Sequence, residues 1–340
     1  MIRKLFAKYE DHSFVSATFN ALKNLRRYFH YFIDIALSPL TYFSAHLFHY
    51  YRKNSLNRFP ISKKIFLKVG VLPIIDHYYE PLFNPKYLRY SLRQERPLPG
   101  INFNDSEQLE ILSKFNYNDE LENFPMDKTN NPHEYYYNGR MFLAGDAEYL
   151  YNIIRYFKPT TMIEIGSGNS TLMARNAINK NSSESSEYSC EHICIEPFEQ
   201  PWLEDINIKV VREKVETIGT KVFQQLKEND ILFIDSSHII RPQGDVLFEY
   251  LELLPSLNKG VIIHIHDILS PRDYLDSYFG EYFWNEQYLL EAFLTNNKEF
   301  RIIGATNYLS HKYRDKFSAK CPIFAMKPDI EPSSFYMIKN

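Results

Sequence analysis

A chain of 340 residues, 44% hydrophobic and 24% charged, has room for a catalytic domain plus an appendage, and its composition excludes wholesale disorder. Its formal net charge of −3 provides no bulk positive field for a nucleic-acid backbone, so no partner of that kind is expected. Three cysteines (Cys190, Cys194 and Cys321) without CxxC spacing exclude a disulfide framework and a zinc knuckle, and a reducing, cytoplasmic setting is expected.

The opening MIRKLFAKYEDHSF holds an acidic pair and no uninterrupted apolar run, so no cleaved signal peptide is expected there. Tyr28 to Tyr51 (YFHYFIDIALSPLTYFSAHLFHYY) has the length of a membrane span, with Arg26-Arg27 before it and Arg52-Lys53 after it. Asp34, three histidines and Ser38-Pro39 make the bilayer interior a poor home, and the segment is read as two helices broken at Pro39. Its basic flanks and aromatic faces suit either a peripheral position on a membrane or a hairpin packed on the catalytic domain or on a second copy. Pro60, Pro73, Pro81, Pro85, Pro97 and Pro99 then impose a turn-rich stretch, in which Asp76-His77-Tyr78-Tyr79-Glu80 could face a substrate. A helical period returns over 105–115, and a polar linker follows over 118–131.

From Gly145 onward, strand and helix patterns alternate. Helices are predicted over 146–157, 170–179, 216–227, 244–257 and 285–295. Strands are predicted over 161–165, 192–196, 207–211, 231–235, 261–266, 300–304 and 322–326. Short Ile- and Val-rich runs joined by helices predict an α/β fold, a Rossmann-like seven-stranded, mostly parallel sheet with helices on both faces. The last run, joined without a helix, is expected as an antiparallel edge. Residues 1–140 are assigned to an N-terminal helical and turn-rich extension carrying docking and substrate-pocket elements, and 141–340 to the sheet domain. NSSESSEY over 181–188 is read as a surface loop.

The most specific signal is Met162-Ile163-Glu164-Ile165-Gly166-Ser167-Gly168-Asn169-Ser170-Thr171, a buried strand running into a Gly-x-Gly turn with Ser170 placed to cap the next helix. Glycine lets the backbone turn sharply and approach a ligand closely. A dinucleotide fingerprint wants a third glycine where Thr171 stands, which weakens a dehydrogenase reading. Glu196, ending the next strand, can accept both ribose hydroxyls of a nucleoside.

Glu164-x-Gly166-x-Gly168 followed by Glu196 resembles the first two motifs of the class I methyltransferases. The strand ends Phe233-Ile234-Asp235-Ser236-Ser237-His238 and His264-Ile265-His266-Asp267-Ile268 are similar to those of bacterial cephalosporin-hydroxylase and sugar O-methyltransferase type domains. The resemblance covers about the last two hundred residues. It implies S-adenosylmethionine as cofactor, held by Glu164, Gly166, Ser167, Gly168, Asn169, Ser170 and Glu196, with Glu213 near the adenine and Asp235 at the cofactor's edge. Some relatives use a divalent metal held by acidic residues.

Asp235 and Asp267 end strands expected to be neighbours, and His238 and His266 stand beside them, so these four are the catalytic candidates. Methyl transfer to a hydroxyl needs alignment and a proton acceptor, a task suited to an imidazole. Alternatively Asp235, His266 and Asp267 hold a divalent ion such as magnesium that orients a hydroxyl and acidifies it. The aromatic loop from Leu269 to Trp284 could cover a small-molecule or glycan acceptor. Competing readings are a metal-dependent hydroxylase and a non-catalytic nucleoside-binding protein on the same scaffold.

Overall fold

The computed structural model describes residues 12–198, 200–275 and 282–340, and its contacts divide the chain into two compact units, Met1–Leu88 and Arg89–Asn340. The first unit is built on α1 (His12–Lys53), which runs without a break through Pro39. The expected break is absent for a local reason. Pro39 has no N–H for the Ile35 carbonyl, and the Ser38 hydroxyl donates to that oxygen at 2.8 Å instead. A second hydroxyl, Thr41, donates to the Leu37 carbonyl at 3.2 Å, one turn on. α2 (Pro60–Val69) starts on a proline at its first position and ends at Gly70, φ +82°, both conformations those residues favour. Edge-on ring contacts hold α1 against α2: Phe48 to Phe66 at 5.4 Å and Tyr51 to Phe66 at 5.8 Å.

The second unit is organised by a seven-stranded sheet, among the described residues, of order β3-β2-β1-β4-β5-β7-β6. Its strands are β1 (Thr161–Ile165), β2 (Glu191–Ile195), β3 (Lys209–Val211), β4 (Ile231–Ile234), β5 (Ile262–Ile265), β6 (Phe300–Ala305) and β7 (Phe335–Lys339). β1 to β5 pair in parallel, and β7 runs antiparallel between β5 and β6. Strands buried on both faces read as continuous apolar runs, as ILFI in β4 does. On one face Met162, Phe233 and Tyr336 pack with the helices Asp146–Phe157 and Asn169–Glu184; on the other Ile163, Leu232 and Ile263 pack with Tyr250, Leu254 and Leu290.

Four expectations change. Residues 322–325 form a helix begun by Pro322, and three short helices, Thr306–Lys312, Arg314–Ser318 and Pro322–Ala325, lead to β7. The antiparallel strand is therefore FYMIK, and it lies inside the sheet, leaving β6 at the edge. The helix predicted over 216–227 splits at Gly219, φ +75°, into Val215–Ile218 and a 3-10 segment, Thr220–Gln225. Part of the serine-rich stretch continues the helix Asn169–Glu184, because Asn181 is buried and its amide donates to the Ile154 carbonyl at 3.0 Å. Finally, residues 89–140 belong to the sheet unit, not to the extension. Phe115, Leu121, Tyr135 and Tyr137 are core residues, and the Gln108 side chain accepts the Ala305 N–H at 2.7 Å.

Candidate active site

In the order β3-β2-β1-β4-β5 the chain reverses direction between β1 and β4, the switch point beside which open α/β sheets bind ligands at their strand carboxyl ends. The glycine turn sits there. Gly166 has φ +79°, and a Cβ on it would lie 2.0 Å from the Asp235 carbonyl oxygen, so only glycine fits. The Asp235 N–H donates to the Ile165 carbonyl at 2.8 Å, and the Gly166 N–H to Ile195 at 3.0 Å. The turn is thereby laced to both neighbouring strands, and one side of it is the backbone of Asp235.

Glu164 lies beneath this turn, fully buried. Its Oε2 accepts from Thr171 at 2.5 Å, while the Thr171 Oγ accepts the Gly168 N–H at 3.1 Å, so the carboxylate props the turn through Thr171. His192 Nε2 stands 3.4 Å from Glu164 Oε1, and Cys194, its thiol pushed up by burial and by Glu164, donates at 3.6 Å. Gly168 occupies the cap position, and Ser170, expected there, is the second helical residue and buried. Ser167 lies in the turn, and Asn169 opens the helix with its amide donating to the Met141 carbonyl at 3.0 Å. Glu196 follows β2 and is nearly buried; its Oε1 accepts the Phe198 N–H at 3.0 Å. Glu213 follows β3 and is exposed.

Next to the turn, four predicted side chains converge. His238 Nε2 lies 3.2 Å from Asp235 Oδ1 and 3.6 Å from Asp267 Oδ2. His266 Nε2 lies 3.8 Å from Asp267 Oδ1, and its Nδ1 lies 3.4 Å from Ser334 Oγ. The Asp235 side chain is 33% exposed and the Asp267 side chain 18%, against 6% for His238, so the two carboxylates form the open side of the cluster. His238 and Asp267 both adopt left-handed backbone, φ +58° and +56°, a conformation costly for residues other than glycine and frequent at functional sites.

The electrostatics follow from this packing. Burial works against charge on His238, yet Asp235, Glu286 and Asp267 around it carry its pKa well above the ordinary imidazole value, so the resting ring is an imidazolium. Burial would raise Asp235, but the His238 hydrogen bond and the nearby His266 take it below the usual carboxylate value. His266 is opposed by burial and raised by Asp267, Asp235 and Asp146. His264, two residues earlier, is driven well below its ordinary value by burial, packs edge-on against Phe233 at 4.4 Å, and is a neutral core ring.

Several site residues carried no sequence signal. Glu286, wholly buried, accepts from His238 Nδ1 at 2.8 Å and from the Tyr250 hydroxyl at 2.9 Å. It opens the helix Glu286–Leu294, where a carboxylate is ordinary, and only the fold brings it behind His238. The Asn285 and Glu286 N–H groups both donate to the His238 carbonyl, at 3.0 and 3.2 Å, fixing the loop after β4. The Ser333 hydroxyl donates to Asp267 at 3.0 Å. Of the predicted covering loop, residues 276–281 lie outside the described residues. Its end brings the Trp284 ring to 4.4 Å from His238, with Tyr282 at 5.2 Å from Trp284. A cavity of about 540 Å³ lined by Arg175, Cys190, His192 and Lys209 lies at the amino edge of β2 and β3, away from this cluster.

Residues 163–268, from β1 to just past β5, match a protein family described as "Methyltransferase domain". An uncharacterized protein of Archaeoglobus fulgidus is 28% identical over 176 residues, covering 48% of this chain and 78% of that protein. The O-methyltransferase TomG of Streptomyces achromogenes, crystallised with S-adenosylmethionine, matches 68% of this chain and 90% of its own at 12% identity, TM-score 0.34. An O-methyltransferase of Bacillus cereus in complex with S-adenosylhomocysteine matches 69% and 91% at 13% identity, TM-score 0.29. A protein described as a Plasmodium falciparum protein-L-isoaspartate O-methyltransferase, in complex with S-adenosyl-L-homocysteine, matches 33% of this chain at 18% identity, TM-score 0.22. The chain spans 55% of the length of this last structure. Strand order, glycine turn and family match together define a class I methyltransferase fold. Residues 163–268 are thus similar to a methyltransferase domain.

Proposed function

We propose that this domain transfers the S-adenosylmethionine methyl group to a hydroxyl of a small molecule or glycan. The observation that carries the reading is the contact between the glycine turn and Asp235, which puts the Asp235–His238–Asp267 cluster against the cofactor's expected position. Gly166, Ser167, Gly168 and Asn169 hold the methionine part and Glu196 the ribose hydroxyls, with Glu164 supporting the turn from below. Glu213 lies beside the adenine. The acceptor oxygen bonds to the methyl carbon as the carbon–sulfur bond breaks, its electron pair returning to sulfur. The hydroxyl proton passes to the cluster, where three carboxylates, Asp235, Asp267 and Glu286, surround one imidazolium and leave capacity for a further proton. Trp284 and Tyr282 offer flat faces suited to a sugar ring.

The cluster also fits a divalent cation. Asp235, His238 and Asp267 offer oxygen, nitrogen and oxygen atoms that all lie within 4.8 Å of one another, and Glu286 behind Nδ1 is the partner a metal-bound imidazole has. His266, expected as the ligand, is outside that set, and His238 takes its place. A magnesium-type ion there would acidify and orient a bound hydroxyl.

Incubation with methyl-labelled S-adenosylmethionine and hydroxylated acceptors, sugars included, tests the activity, and label transfer to no hydroxyl compound would overturn it. Cofactor binding is tested separately. Glu196→Ala is expected to weaken S-adenosylmethionine binding by about 2–3 kcal/mol through loss of two hydrogen bonds to a charged group. Calorimetry reads this, and an unchanged Kd would remove Glu196 from the site.

A further inference from the structure

Residues 1–88 hold thirteen Lys or Arg against five Asp or Glu, although the whole chain carries a net charge of −3. The surplus of eight positive charges is therefore concentrated in the first unit. On α1 the residues Phe29, Phe32, Leu40, Phe43, Leu47 and Tyr50 fall on one helix face, and His30, Asp34, Ser38, Thr41 and His49 on the opposite one. This two-faced pattern is that of a helix with an apolar stripe, yet Phe29, Phe32, Leu40 and Phe43 are between 61 and 71% exposed. α2 repeats the arrangement on a smaller scale: Ile61, Ile65 and Val69 are spaced by four and 76, 56 and 69% exposed, with Lys64 and Lys68 beside them. So much exposed apolar surface marks an interaction site.

We propose that α1 and α2 form a docking surface for an anionic lipid bilayer, lying in the headgroup layer with aromatic and aliphatic side chains inserted. Three observations favour lipid. Among the described residues no helix is long and apolar enough to cross a membrane, and Asp34 with His30 and His49 gives α1 a polar face to keep in water. Arg26, Lys53, Lys64 and Lys68 flank the stripes, where they meet lipid phosphates. A second copy of the same surface would instead oppose like charge to like charge. Tyr28 and Tyr50 suit the interface, with an apolar ring and a polar tip.

The test is sedimentation of the full chain with vesicles. Binding is expected on phosphatidylcholine containing about a third phosphatidylglycerol, weakened by raised salt, and at least about tenfold weaker on phosphatidylcholine alone. Phe32→Glu with Phe43→Glu, both at exposed positions, should abolish binding, and each of Lys64→Glu and Lys68→Glu should weaken it about fivefold or more. Circular dichroism and S-adenosylmethionine affinity should stay unchanged in all of them. Equal binding to neutral and anionic vesicles, or none to either, overturns the proposal. So does a dimer by sedimentation velocity that Phe32→Glu with Phe43→Glu converts to a monomer while vesicle binding is unaffected.

Discussion

His238→Ala is expected to lower turnover by about a hundredfold to ten-thousandfold, the usual cost of removing the group that manages a transferred proton. The Kd for S-adenosylmethionine should change by less than about twofold, because the proposed binding of the cofactor's other parts falls to the glycine turn and Glu196. The imidazolium neutralises Asp235 and Asp267 at 3.2 and 3.6 Å and orders them with Glu286. Without it three carboxylates face one another with no counter-charge, and the groups that take the acceptor's proton lose their alignment. His238→Gln keeps a hydrogen-bond donor but not the positive charge, so it separates shape from electrostatics and should fall nearly as far. Single-turnover rates with a verified acceptor read both variants. If both keep full turnover with a native melting profile, the cluster is structural.

Glu286 acts through His238 and is a positioning residue. Glu286→Gln removes one of the charges that hold the ring protonated, so the variant's imidazole titrates at lower pH. The expected signature is a pH–rate profile whose histidine limb moves to lower pH, with kcat reduced and the KM for S-adenosylmethionine unchanged. A merely structural role would leave the position of that limb in place.

The path from sequence to this site was readable wherever local chemistry alone decides the outcome. Strand β1 and the helix Asp146–Phe157 lie where apolar periodicity places them, because burial on both sheet faces and a clean helical stripe leave no alternative. Gly166 could be read because a turn at a strand end needs its conformation, and the structure adds the reason in the carbonyl of Asp235. Pairings distant in sequence were not readable. Glu286 is 48 residues from His238, and nothing near it distinguishes a ligand-orienting carboxylate from one that opens a helix. FYMIK and the run over 322–326 are both short and apolar; Pro322 starts a helix instead, and only the gap between β5 and β6 shows which run enters the sheet. Pro39 misled because its neighbour's hydroxyl supplies the missing donor, a compensation that composition does not display.

Arg155→Ala is expected to destabilise the sheet unit by about 2–4 kcal/mol, below the full cost of breaking a buried ion pair because Glu120 and Glu184 stay 24% and 42% exposed. Arg155, 2% exposed, donates from Nε to Glu120 at 2.9 Å and from Nη2 to both oxygens of Glu184 at 2.8 and 2.9 Å. It also donates to Asn181, and its guanidinium lies 4.8 Å from the Tyr117 ring centre. These contacts tie the segment before residue 140 to the helices Asp146–Phe157 and Asn169–Glu184, the second of which starts at the glycine turn. Truncation leaves the buried Asn181 carbonyl unbonded and Glu120 without its counter-charge. For a unit of this size a loss of that magnitude lowers Tm by roughly 4–16 °C. Arg155→Lys keeps the charge but not the planar fork, and should fall between the two. The pH dependence carries its own sign. Hydrogen bonding to Arg155 holds Glu184 below the ordinary carboxylate value, so its contribution is present above about pH 4.3 and lost as pH falls through its lowered folded pKa. The Tm difference between wild type and Arg155→Ala should therefore shrink on acidification below that value. A melting point within about 2 °C of wild type at neutral pH would show that the network is not what holds residues 89–140 against the sheet and its helices.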